Sequence, residues 1–235
     1  MATLPDDPVD PLLEPGVRRA ERLCEKAVTV LGVDGAGLSM MTTSGHRGTV
    51  CATDQISRRI EDLQFTLGEG PCYDAFAGSG PVLVPDVNGA TSMTASSWPV
   101  FTEAVAAAGV GALFAFPLMI GAIPLGALDF YRRRPGELSS DQLVAAWDIA
   151  DAAAGSLLDM RTGTGVDLPE ESAPRGASYR LEVHQATGMI SVQLETALDE
   201  ALLLLRAYAF AEDIDIDDVA RDVVAGRLHL TRERD

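Results

Sequence analysis

The sequence predicts an α+β domain followed by a separate all-α unit of three helices. Between Val17 and about Met160, helical patterns are interleaved with short strand-like runs joined by turns, which indicates helices packed on a central, largely antiparallel sheet. From Ser178 to Leu230, three short helical patterns follow one another with minimal connections. Between the two, RTGTGVDLPEESAPRGA (161–177) has few apolar residues and two prolines, and reads as a linker. The domain boundaries expected are therefore a tail at 1–14, a first domain at 15–160, a linker at 161–177 and a second domain at 178–235.

Residues 1–14 are acidic and rich in proline, which leaves no room for a helix. A helix then begins near Val17, with Val17, Ala20, Cys24, Ala27, Val28 and Leu31 on one face. Two strands, Gly37 to Thr42 and His46 to Ala52, meet at a Ser44-Gly45 turn. Ile56, Ile60 and Leu63 mark a charged amphipathic helix. Gly68, Gly70 and Pro71 form a turn, and Pro71 suits a first helical position, so Cys72 to Ala77 is a short helix. Gly78 and Gly80 end it, Pro81 to Val84 is a buried strand, and Asn88 to Ser97 is a polar loop. Trp98-Pro99 opens a helix through Phe101, Val105 and Ala108. The strands Val110 to Met119 and Leu125 to Tyr131 follow, with GAIPLG between them as a hairpin connection. Ser139 and Gln142 form a capping box for a long helix from Asp141 to about Met160.

In the tail, the first pattern places Val183, Ala186, Met189 and Ile190 on one buried face, interrupted by Gly188 at a cost of about 1 kcal/mol relative to alanine. A close packing partner is one reason to keep a glycine there. The second helix runs from Thr196 as N-cap through Ala197, Ala201, Leu204, Leu205 and Tyr208. The third starts at Asp215, with Asp217 and Asp218 at the positive end of the helix dipole, and Gly226 stops it. A unit of this size buries little surface alone and is expected to lean on a partner or a second copy.

Hydrophobic residues make up 47% of the 235, which excludes wholesale disorder, and no apolar run is long enough to span a bilayer. The acidic N-terminus is the opposite of a secretory signal. Three cysteines without CxxC spacing suit a reducing cytoplasm. The net charge is −17, and Ser178 to Asp235 holds six arginines and no lysine against twelve acidic residues. Neither half has the basic footprint of a nucleic-acid binder, so any RNA contact has to come from a local cluster and be strongly salt-sensitive.

Two stretches carry family resemblances. LGEGPCYDAFAGSGPVLVPDV (67–87), with the later WPVF, GVGALFAFPL and LGALDFYR runs, resembles the GAF domain across about Pro15 to Met160. That resemblance implies a sheet of five or six strands with helices against it, and a pocket for a small-molecule signal. Arg180, Val183, Ala186 and Gly188 form an R-x-x-V-x-x-A-x-G run. Met189, Glu200-Ala201, Leu205-Arg206, Ala209, Asp218-Val219-Ala220 and Val223-Val224 follow in order. Together they resemble the ANTAR domain, a three-helix RNA-binding module of bacterial transcription antiterminators. The resemblance implies a cytoplasmic, homodimeric, non-enzymatic regulator that binds paired RNA stem-loops and lets polymerase pass a terminator.

The RNA-binding candidates are Arg180, His184, Ala186, Gly188, Arg206, Arg221 and Arg227. The arginines suit phosphates, Tyr179 or Tyr208 could stack on a splayed base, and the small residues allow close approach. Against this, the arginines could pair with neighbours such as Glu182 and Asp217, and the tyrosines and small residues could serve packing alone. Cys72, at a helix N-terminus where the dipole favours a thiolate, is the candidate ligand- or redox-sensing residue; its other reading is a small buried packing residue. Arg132 to Arg134 is either an anion grip or a solvated strand end. His46, His184 and His229 are far apart and no Cys/His spacing supports a metal, so no metal or other cofactor is expected. Two rival functions stay open. One is thiol-dependent reduction of free methionine sulfoxide using Cys51 and Cys72. The other treats the tail as a DNA-binding or purely dimerising module.

Overall fold

A computed structural model describes residues 15–42, 45–89, 97–162, 180–212 and 214–230. The expected tail at 1–14, most of the 161–177 linker and of the Asn88–Ser97 loop, Ser44 of the proposed turn, and Tyr179 lie outside the described residues.

The first domain contains α1 (Pro15–Leu31), β1 (Gly35–Thr42), β2 (Gly45–Ala52), α2 (Gln55–Leu67), α3 (Pro71–Gly78), β3 (Val82–Val84), α4 (Pro99–Ala107), β4 (Ala112–Ile120), β5 (Ile123–Arg132) and α5 (Ser140–Thr162). The five strands form one antiparallel sheet in the order β2-β1-β5-β4-β3. Strand alternation sorts its side chains into two layers. Leu38, Phe114, Phe116, Leu128 and Phe130 face α1 and α5, whose Ala20, Ala27, Ala150, Ala153 and Leu157 complete that core. On the opposite face, Leu113 and Tyr131 pack with Ile60, Leu63, Phe101 and Val105 of α2 and α4, while Met41 and Ala127 pack with Cys72 of α3. The domain is thus three-layered, with helices on both faces of the sheet.

The helix ends are fixed by side chains the sequence placed well. The Ser139 backbone donates to Gln142 Oε1 at 2.8 Å and the Gln142 backbone to Ser139 Oγ at 3.2 Å, so the capping box forms. The carbonyl of Leu31, near the end of α1, accepts from Arg132 Nη2 at 3.1 Å and Gln142 Nε2 at 2.7 Å, which joins α1 to β5 and α5. Arg132 is thereby a structural residue, with its guanidinium 5.8 Å from the Phe114 ring centre, while Arg133 and Arg134 are exposed at the strand end. Asp54 caps α2 by accepting from the Ser57 backbone at 2.7 Å, and its other oxygen accepts from the Tyr131 hydroxyl at 2.5 Å. Gly68 ends α2 with φ +69°, a left-handed conformation suited to glycine.

The tail forms α6 (Leu181–Leu194), α7 (Leu198–Ala211) and α8 (Ile216–Val224). Val183, Ala186, Ile190, Ala201, Leu205, Val219, Ala220 and Val223 make its core. Two expectations are corrected. Met189 is 44% exposed and Thr187 is buried instead, its hydroxyl bonded to the Val183 carbonyl at 2.6 Å. Thr196 does not cap α7: Ala197 occupies the cap without a side-chain bond, and the Thr196 hydroxyl reaches Glu200.

Asp54→Ala removes a cap and the Tyr131 partner together, and is expected to lower the unfolding free energy of the full chain by about 1–2 kcal/mol in urea titration followed by circular dichroism. Asp54→Asn is expected to retain most of it.

Candidate functional site

Helix α2 looks both ways. On the sheet side, a buried polar cluster interrupts an otherwise apolar layer. Ser39 of β1 donates its hydroxyl to Glu61, Gln64 Nε2 donates to Asp129 Oδ2 at 2.5 Å, and the Cys72 backbone donates to Gln64 Oε1 at 2.8 Å. All five residues are buried, and the space bounded by Gly37, Ser57, Glu61, Asp129 and Tyr131 is closed, without room for a water molecule. Burial pushes the Glu61 carboxyl up to about 7 even though the Ser39 hydroxyl bond opposes it. Burial, then the nearby Glu61 charge, pushes Asp129 up as well. One carboxyl of the pair therefore holds a proton near neutrality and can donate it to the other.

Cys72 lies at the start of α3, as expected, but the helix end does not activate it. Burial, with Asp129 and Glu61 adding to it, raises the thiol well above its ordinary range, opposite to the thiolate reading. Cys24 and Cys51, expected to stay reduced, instead form a disulfide between α1 and β2. A polar cavity of about 280 Å³ lies against it, lined by Glu21, Glu25, Thr53 and Arg58.

On its other side, α2 meets the tail. Phe65 is fully buried and belongs to the tail core; among the described residues it is the one core member drawn from the first domain. The Arg180 and Arg206 guanidinium carbons lie 4.3 and 5.4 Å from its ring centre. Arg180 Nη1 contacts Asp217 Oδ2 at 3.0 Å and its Nη2 contacts Asp62 of α2, leaving the side chain 4% exposed. Arg206 donates to the Tyr73 hydroxyl of α3 at 3.0 Å and lies over Gly68, where a Cβ would meet Nη1 at 2.6 Å.

The RNA-binding candidates thus fall into three groups. Arg180 and Arg206 face the first domain, with Arg180 preceding α6 in a left-handed conformation. Ala186 is fully buried in the tail core. His184, Arg221 and Arg227 are exposed, with Arg221 bonded to Asp218 and Arg227 to Asp222. Gly188 lacks the close packing partner expected of it: among the described residues nothing lies within contact of a Cβ placed there, and it lies in an apolar groove with Met189, Val192, Val224 and His229. The polar cluster was missed from the sequence, although Asp129 within LGALDFYR was a visible signal: a charge in a strand with apolar neighbours on both sides.

A family model described as the GAF domain matches residues 17–157. No curated protein matches the chain. Among solved structures, a GAF domain of a phosphoenolpyruvate-protein phosphotransferase from Coxiella burnetii is similar at TM-score 0.51 and 13% identity, covering 65% of this chain and 89% of that one. A domain of a two-component sensor histidine kinase protein from Sinorhizobium meliloti 1021 is similar at TM-score 0.47 and 21% identity, with coverages of 61% and 91%. A type II free methionine-R-sulfoxide reductase from Thermoplasma acidophilum is similar at TM-score 0.44 and 14% identity, with coverages of 61% and 93%.

Two predictions test this geometry. Glu61 keeps its proton in the folded state up to about pH 7, whereas an unfolded glutamate releases it near 4.5, so the folded state binds more protons in that window. Stability in urea is therefore expected to fall as pH rises through it, and Glu61→Gln to reduce the slope. Separately, alkylation without reductant is expected to label no cysteine in the native chain, one after denaturation, and all three after reduction, as counted by mass spectrometry.

Proposed function

We propose, from the premise that this chain belongs to the GAF domain family, that it is a signal-responsive regulator whose tail is an ANTAR-type RNA-binding output acting by transcription antitermination. The supporting observation is the division of labour on α2. A three-helix core separate from the sheet domain is joined to it through Phe65, and the neighbouring Glu61 and Gln64 line the buried polar cluster. A signal that enters the space beside Glu61 and Asp129 meets α2, the helix that also carries the tail contacts. The polar lining suits a small molecule with hydrogen-bonding groups.

In this reading the RNA contacts come from Arg180, His184, Arg206, Arg221 and Arg227, with single-stranded loop bases as the readable part. Two loops require two modules, and the apolar face of α6, with Met189 44% and Val192 81% exposed around Gly188, is offered to a second copy. The reading includes no catalytic step. Cys72 is buried with a raised thiol, and thiol-dependent reduction of free methionine sulfoxide by the full chain would replace the regulatory reading with an enzymatic one.

The test is electrophoretic binding of the full chain to tandem-loop RNA across a salt series, with single-loop RNA and duplex DNA as controls. Tandem-loop RNA is expected to bind best, with affinity falling steeply with salt. Equal affinity for duplex DNA, or no RNA binding at low salt, would remove the RNA reading.

A further inference from the structure

The contacts around Phe65 have the properties of a reversible lock. Arg180 is almost fully removed from water, and one of its two carboxylate partners, Asp62, belongs to the sensor while the other, Asp217, belongs to the tail. Undocking takes Asp62 away but leaves Asp217 in place, so the guanidinium keeps a counter-charge in both states and regains solvent. The docked state also carries a cost. Among the described residues, the Nε atoms of both Arg180 and Arg206 are buried without a hydrogen-bond partner, and Arg180 takes a backbone φ of +41° that non-glycine residues rarely adopt. Ion pairing, the two cation–π contacts and burial of Phe65 favour docking; the unbonded Nε groups and the left-handed backbone oppose it. Opposed terms of this kind make an equilibrium that a modest stimulus can shift.

The sensor side of the lock lies on the elements that enclose the polar cluster. Successive residues of α2 point to opposite tasks: Glu61 bonds Ser39 and Asp62 bonds Arg180; Gln64 bonds Asp129 and Phe65 enters the tail core. In α3, the Cys72 backbone bonds Gln64 while the adjacent Tyr73 hydroxyl accepts from Arg206. Displacement of α2 or α3 at the cluster therefore disturbs the arginine contacts within one residue of the point where it is applied.

We propose that the α2–α3 surface formed by Asp62, Phe65, Gly68 and Tyr73 is an autoinhibitory dock for the chain's own tail, withholding Arg180 and Arg206 until the sensor is occupied. The assignment of those arginines to RNA rests on the regulatory reading above; the dock itself rests on the contacts alone.

The experiment uses the full chain with Asp62→Ala and, as a milder change that keeps the ring, Tyr73→Phe. Amide hydrogen exchange at the start of α6 and around Phe65, together with small-angle scattering, reports docking, and tandem-loop RNA binding is measured in parallel. Asp62→Ala is expected to speed exchange at both places, enlarge the particle and tighten RNA binding by about tenfold or more, with Tyr73→Phe in the same direction but smaller. Both substitutions lie in the first domain and add no side chain to the tail, so a gain in RNA affinity cannot come from a new RNA contact made there. If both variants undock and no form binds RNA, the dock stands and the RNA reading falls. If both folded variants show wild-type exchange and scattering, or undock without any gain over a wild type that already binds RNA, the autoinhibitory proposal is overturned.

Discussion

A guanidinium taken out of water has to be met by charge, and Arg180 meets this requirement with carboxylates from two parts of the chain. Desolvation of a charge costs several kcal/mol before pairing offsets it, so the positions of Asp62 and Asp217 constrain one another through the side chain between them. That constraint fixes where α6 starts, where the first turn of α8 lies and which face of α2 the tail covers. Desolvation leaves its mark on the partner as well: burial raises the Asp217 carboxyl even with Arg180 beside it. The junction is held by charges that each pay for leaving water, in contrast to the apolar packing of α1 and α5 on the sheet.

The buried acids follow the same physics with a different outcome. Among the described residues no cation contributes to the shifts of Glu61 and Asp129, and the lower-energy solution is to keep a proton rather than to find a counter-ion. Ser39 and Gln64 then supply directional bonds that hold the protonated pair in register between β1, β5 and α2. A cluster whose two acids share a proton, bond uncharged partners and leave no room for water can be reorganised by a small polar molecule without first dissolving an ion pair.

Much of the fold was legible because its signals are local. The Ser139–Gln142 box, the Gly68 and Gly70 turn and the continuous apolar runs of β4 and β5 need only a few neighbouring residues to be read. What could not be read depends on which of two apolar faces a residue meets. Glu61 looks like a solvent-side charge of an amphipathic helix, and only the placement of β1 beneath it turns it inward. Met189 and Thr187 are two positions apart, and the position of α8 decides which of them faces the core. Cys24 and Cys51 each fit an apolar pattern, and nothing in a 27-residue separation indicates that α1 lies over β2. For the candidate site, residue types were identified ahead of their direction: Arg180 and Arg206 were singled out, but their shared contact with Phe65 is a property of tertiary structure.

The membership of Phe65 in a core built from residues well over a hundred positions later has a consequence during synthesis. The sheet domain is complete once α5 has left the ribosome, and domains generally fold in the order they emerge. From then until α8 follows, Phe65 stands uncovered on the surface of a finished domain. At about 5–20 residues per second, the roughly 60 residues between the end of α5 and Val223 take about 3–12 s. For that time the nascent chain carries an exposed aromatic ring beside Asp62, an adhesive spot for other unfinished chains that its own C-terminal helices later cover.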